Sequence, residues 1–386
     1  MTKLALPPLA LYVHIPWCVR KCPYCDFNSH AGGNEIPEQE YLTKLLDDLT
    51  LERQYAYGRK ISSIFFGGGT PSLFTAKTIG TIIEQAERMI GFDDSIEITL
   101  EANPGTAEQA KFADFFRAGV NRLSIGIQSF QPEHLIKLGR IHNDTDAQRA
   151  IEMAKQAGFT RLNLDLMHGL SGQTVEQALR DIDMAASFEP DHLSWYQLTI
   201  EANTEFYSRP PQLPEEDCLA DIQEFGLARL QEHGYQQYEI SAYAKSPSSR
   251  SKHNLNYWQF GDYLAIGAGA HGKITHTEQN TIERYWKTRL PADYLKKDSL
   301  LGFTANQKIV SKDELPLEFF MNSLRLVEGV DVSLYQDRTG LDLNKLNLTA
   351  PINKGLIEIV DRSGAETIKP TDLGLKYLNN TLDYFL

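Results

Sequence analysis

Short apolar runs alternate along this chain with longer stretches whose apolar residues recur at helical spacing. Leu9–Pro16, Ile61–Phe66, Ile96–Leu100, Arg122–Ile127, Leu162–Met167 and His192–Ile200 read as strands. Between them, Tyr41–Tyr55, Ala76–Ile90, a segment ending near Ala118, segments running to Ala157 and a further stretch before His192 read as helices. Six β-then-α units in about 200 residues predict a parallel sheet with helices outside it. Right-handed crossovers curl such a sheet toward a barrel, but six units fall short of the eight that close one. The expected fold is α/β, an open partial (β/α)6 barrel over residues 1–244.

The pattern then changes. Lys245–Lys252 is polar and contains Pro and Ser, the composition of a connector. The connector is expected over 245–289, and it carries His253-Asn254-Leu255-Asn256-Tyr257-Trp258 and a Gly-rich run, Gly261–Gly272. From Leu290 to the end, 290–386, the pattern is mainly helical. Gly355–Ile368 reads as a hairpin turning at Ser363-Gly364, with a helix from Thr371, so this C-terminal domain is expected to be winged-helix-like.

Composition narrows the function classes. The 386 residues are 42% hydrophobic and 23% charged, ordinary for a globular protein with a large core. No stretch is apolar enough to span a bilayer, and the first residues do not form a leader. A cytoplasmic chain is expected, not integral to a membrane and at most transiently associated with one. The net charge of −13 argues against broad nucleic-acid binding, which depends on Lys and Arg against phosphates.

Three of the four cysteines, Cys18, Cys22 and Cys25, form C-x3-C-x2-C directly after the first strand. Soft thiolates on one tight loop suit an iron–sulfur cluster or, less well, zinc. A [4Fe–4S] cube held by three cysteines keeps one iron open to a small molecule. Zinc would need a fourth ligand, for which only His14 and His30 are near. Cys218 lies in an acidic helical segment and is expected to be inert. In a partial barrel, chemistry gathers at the C-terminal ends of the strands. The cysteine loop, Gly67-Gly68-Gly69-Thr70-Pro71, Glu101, Gln128 and Asp165 all fall there. The glycines allow a close backbone approach to a ligand, and the spacing is not that of a phosphate-binding loop. Glu101 suits an ammonium group, Arg140 a carboxylate, Asp165 ribose hydroxyls, and Gln128 either hydrogen-bonding role.

C-x3-C-x2-C followed by Gly67-Gly68-Gly69-Thr70-Pro71 resembles the radical S-adenosylmethionine (SAM) superfamily. Tyr12–Cys18, Cys22-Pro23-Tyr24-Cys25, Gly126–Phe130 and Asn163–Leu170 are similar to the oxygen-independent coproporphyrinogen oxidase group, and the His253–Trp258 motif to its haem-chaperone branch. The resemblance implies a [4Fe–4S] cluster on Cys18, Cys22 and Cys25. It also implies SAM against Tyr12, Tyr24, Gly68, Gly69, Thr70, Glu101, Gln128, Arg140 and Asp165. It further implies haem, with His253 a candidate iron ligand and Tyr257 and Trp258 packed on the macrocycle. His271, in Ala270-His271-Gly272, is a second candidate by residue type alone, and as a lone histidine it is expected to satisfy a local hydrogen bond. The expected function is haem delivery to apo-haemoproteins of the respiratory chain, with cluster and SAM in support and a cluster-dependent dimer. The alternative is oxidative decarboxylation of coproporphyrinogen III. Against it, Phe27 stands where the oxidase typically has another cysteine, and the segment before Leu9 is shorter.

Overall fold

Strands β1 (Leu9–Ile15), β2 (Ile61–Gly68), β3 (Phe92–Ala102), β4 (Arg122–Gln128), β5 (Leu162–His168) and β6 (His192–Gln197) pair in chain order. Every neighbouring pair among them is parallel. This is a computed structural model, and it describes residues 3–32, 35–105, 109–362 and 364–386. The inner strands alternate: Leu123, Ile125 and Ile127 of β4 join the main hydrophobic core, while Ser124, Gly126 and Gln128 point to the other face, and all seven residues of β4 are buried. Helices α1 (Glu38–Glu52), α2 (Ala76–Met89), α3 (Phe112–Arg117), α4 (Asp144–Gln156) and α5 (Val175–Ser187) return the chain between strands. Their starts are encoded locally. Thr75 caps α2, and reciprocal capping boxes, Asn143 with Asp146 and Thr174 with Gln177, start α4 and α5. One face of α2 buries Ile79, Ile82, Ile83 and Ala86 against the sheet.

The sheet runs on past both edges of this six-stranded unit. Beyond β6 it adds the antiparallel β7 (Gln236–Glu239) and β8 (Ala242–Ala244), preceded by helix α6 (Glu216–Glu232). Beyond β1 it adds β9 (Asp262–Ile266), parallel to β1, then antiparallel β10 (His271–His276), β11 (Thr281–Lys287) and β12 (Thr304–Ile309). Among the described residues the order is β12-β11-β10-β9-β1-β2-β3-β4-β5-β6-β8-β7, open at both ends.

Much of the region read as a connector is therefore sheet. Strand β9 is short and flanked by Gly261, Gly267 and Gly269, and the glycines after it have steric jobs. Gly267, at φ +103°, would bring a Cβ to 2.3 Å from the His14 carbonyl oxygen. The edge strand β12, TANQKI, is exposed along its whole length and carries no apolar alternation, so a helical reading after Leu290 passed over it.

The motif His253–Trp258 lies on helix α7 (Lys252–Trp258), whose Ser251 side chain accepts from the Asn254 N–H. A second core follows, built on α8 (Leu315–Ser323) and α9 (Val332–Thr339) around Phe319, Phe320, Tyr335 and Phe385. Its small sheet joins β13 (Val330–Asp331), β14 (Ile357–Arg362) and β15 (Ala365–Pro370) in the order β13-β15-β14. The expected hairpin is β14–β15; of its turn, Gly364 is described and Ser363 lies outside the described residues. Thr371 caps the short helix after it. No described helix is long and apolar enough to cross a membrane.

Candidate functional site

The C-terminal ends of β1 to β6 surround a cavity of about 350 Å³. Its wall includes Cys18, Cys22 and Cys25, all free thiols, together with Tyr24, Gly68, Gly69, Thr70, Glu101, Gln128, Arg140 and Asp165. Residues more than a hundred positions apart in sequence meet here because parallel strands present the same end to one side. Tyr12 is not among them. It lines a neighbouring cavity, where its hydroxyl shares a hydrogen bond with His14 Nδ1 (2.9 Å).

Backbone shape makes the cradle. Gly68 sits at φ +114°, and a Cβ there would fall 2.5 Å from the His14 ring. A Cβ on Gly69 would come 2.5 Å from the Trp17 carbonyl oxygen. Gln128 is a buried non-glycine residue at φ +68°, beside a bulge in the β4–β5 register. Left-handed backbone at such a residue is strain of the kind concentrated at functional sites. The Gln128 side chain accepts from the Tyr196 hydroxyl (2.9 Å).

The electrostatics ask for a cation. Burial and the neighbouring Asp165 charge raise the Glu101 carboxyl to about 8, against one opposing bond from the Gly68 N–H. Burial also raises Asp165, although Asn163 Nδ2 (2.8 Å) and Ser124 Oγ (3.0 Å) donate to it. Neither acid has an ion pair among the described residues. Arg140 does not neutralise them: its Nη2 donates to Asn103 Oδ1 and to the Gly126 carbonyl, both at 2.7 Å, and its Nη1 to Cys22 Sγ at 3.7 Å. Its Nε is buried without a partner, a donor left over for an anion. Two inward acids and one spare guanidinium donor match a ligand bearing both an ammonium and a carboxylate.

The thiols fit a cluster better than a single ion. Among the described residues no three His, Cys, Asp or Glu side chains converge on one metal position. The histidines once near enough to complete a zinc site are engaged: His14 Nε2 bonds the Asn28 carbonyl (2.9 Å), and His30 Nε2 bonds Asn28 Oδ1 (3.1 Å). Cys218 lies outside the cavity wall, its thiol 3.9 Å from the Gln173 carbonyl.

His253 departs from expectation. It is buried, with Nδ1 bonded to Ser63 Oγ (3.0 Å) and Nε2 to the Tyr257 hydroxyl (2.9 Å), and its ring stacks on Phe65 at 5.0 Å. Burial lowers it to about 3, so it is neutral, and neither nitrogen is free for iron. Trp258 is also occupied: it packs against the second core under the Arg325 guanidinium, 4.5 Å from the ring centroid. Sequence reasoning missed Asn103, which joins Arg140 to Thr70 (Nδ2 to Oγ1, 3.0 Å), and Ser194 and Tyr196 on the cavity wall. Their one available signal was position at the end of a strand.

Residues 12–185 match the radical SAM superfamily, and residues 310–363 match the HemN C-terminal domain. The chain is 50% identical to heme chaperone HemW of Haemophilus influenzae, covering 99% of this chain and 98% of that protein. It is 48% identical to heme chaperone HemW of Escherichia coli, covering 99% of each. Among solved structures, the coproporphyrinogen III oxidase HemN of Escherichia coli superposes with a TM-score of 0.80 at 23% identity, covering 98% of this chain and 90% of that one, a likeness of fold. Full-length identity at this level, on a partial barrel with three thiols at its mouth, makes the chain a member of the HemW family of radical SAM proteins.

Proposed function

We propose that this chain is a haem chaperone that binds a [4Fe–4S] cluster through Cys18, Cys22 and Cys25, holds SAM beside it, and delivers haem to apo-haemoproteins of the respiratory chain. The observation that carries the reading is the near-full-length likeness to two proteins named heme chaperones. The cavity supports the cofactor half. Glu101 would receive the SAM ammonium and Arg140 Nε its carboxylate, while Gly68 and Gly69 let the backbone approach. Asp165 and Gln128 remain for the ribose and base. When bound, the cluster supplies an iron that the amino-acid end of SAM can chelate. The chain's own residues set that end in place and keep charge balanced around it.

The test uses full-length protein reconstituted anaerobically with iron and sulfide. Haem should bind, and should pass to an added apo-cytochrome of the respiratory membrane faster than free haem does. Coproporphyrinogen III should not be consumed beside a working oxidase control. Porphyrinogen turnover without haem transfer would reverse the assignment.

A further inference from the structure

A second cavity, of about 420 Å³, opens beside the first, and Phe27 lines both. Its walls carry three aromatic rings, Tyr257 from α7, Tyr263 from β9 and Trp286 from β11, with the polar Asp26 and Asn28 among the other lining residues. His271, at the start of β10, also lines it. The His271 ring is exposed and lies near-parallel to Trp286, with centroids 6.1 Å apart and planes 21° apart. Unlike His14 and His253, it has no hydrogen-bond partner among the described residues. Arg289, at the rim, is exposed and forms no ion pair among them. Lys287 cannot serve an outside ligand, because its ammonium is spent on Asp48 and Glu52, both at 2.7 Å.

We infer that this second cavity seats the haem macrocycle, with His271 as an axial ligand to its iron. The inference rests on the haem-chaperone reading and says where in this chain the haem would sit. A flat apolar ring needs aromatic walls, an iron needs an unengaged imidazole, and propionates need a free cation. Tyr257, Tyr263 and Trp286, then His271, then Arg289 supply these in one place. The His253–Trp258 motif acquires a different role: His253 is a positioning residue that fixes Tyr257, through its hydroxyl, in the cavity wall. The arrangement also ties haem to the cysteine loop. Asn28, three residues after Cys25, donates through Nδ2 to the carbonyls of Ala268 (2.9 Å) and Arg289 (2.8 Å), tying that loop to the cavity wall.

The test is hemin titration of the cluster-loaded full chain, read by its Soret band and by electron paramagnetic resonance. His271→Ala should lose the histidine-ligated signature and bind hemin about tenfold or more weakly, a loss of about 1.4 kcal/mol. His253→Ala should keep that signature. Imidazole added to His271→Gly should restore it. Iron-free protoporphyrin, followed by fluorescence, separates pocket from ligand: His271→Ala should bind it like the wild type, and Trp286→Ala should bind it more weakly. Unchanged iron ligation in His271→Ala, or its loss in His253→Ala alone, overturns the assignment of this cavity and leaves haem binding standing. No hemin binding by the wild type overturns the chaperone reading itself, and this inference with it.

Discussion

Two pairs of carboxylates, one on α1 and one on the strands of the cavity wall, differ in one respect. Asp48 and Glu52 on α1 are fully buried, and Lys287 lies between them at 2.7 Å from each. The Tyr294 hydroxyl donates to Asp48 as well (2.7 Å), and the Tyr285 hydroxyl to Glu52. Glu101 and Asp165 are part-buried on a cavity wall and have no cation of their own. Burial raises all four acids, so burial does not distinguish the pairs. The counter-charge does. A pair that carries its cation is part of the scaffold; a pair that faces an opening without one is built to receive it from a ligand.

The largest expected effect breaks the scaffold pair. Lys287→Met leaves two uncompensated buried acids and should cost about 3–5 kcal/mol of unfolding free energy, measured by denaturant titration. Glu101→Gln, by contrast, replaces a carboxyl that is mostly protonated at neutral pH in the ligand-free protein, and should leave ligand-free stability there within about 1 kcal/mol of wild type. It should instead weaken SAM by about 1.5–3 kcal/mol, roughly 10- to 150-fold, in a calorimetric titration of cluster-loaded protein. If both variants lost stability and neither lost SAM, the two pairs would be alike.

A smaller effect sharpens the contrast through pH. Glu101 is protonated below about 8 in the ligand-free fold, whereas an ammonium ligand needs the carboxylate. SAM affinity should therefore rise with pH, by up to about tenfold per unit below that value, and level off above it. The stability sign runs the other way. A carboxyl raised from 4.5 to about 8 stabilises the ligand-free fold fully below 4.5 and loses that contribution as pH climbs to about 8. Glu101→Gln should remove both dependences, and the difference between the two proteins isolates this residue. A SAM affinity with the same pH profile in both would assign the titration elsewhere.

Local signals carried much of the fold and the site, and convergence in space carried the rest. Alternating apolar runs announced β1 to β6, and the cysteine spacing announced the loop. Polar residues at strand ends, such as Glu101 and Asp165, were legible because the topology fixes which end faces the mouth. Asn103, Ser194 and Tyr196 follow the same rule but are ordinary letters in ordinary strands, and only the folded barrel sets them on one wall. His253 shows the opposite limit. Its motif drew attention, but a sequence cannot show that Ser63, 190 positions away, and Tyr257 already hold both ring nitrogens. The Gly-rich run after Gly261 was read only as part of a connector, whereas Gly267 and Gly269 are there because His14 and Asn28 press against them.

The account turns on three thiols holding a cube with one iron exposed to the cavity that Glu101 and Arg140 line. Its most direct test is electron paramagnetic resonance of the reduced, anaerobically reconstituted chain before and after SAM is added. About four iron and four sulfide per chain are expected, with a cluster signal that shifts on SAM addition and is absent from Cys22→Ala. A chain that retains zinc in place of iron, or a cluster signal indifferent to SAM, would contradict it.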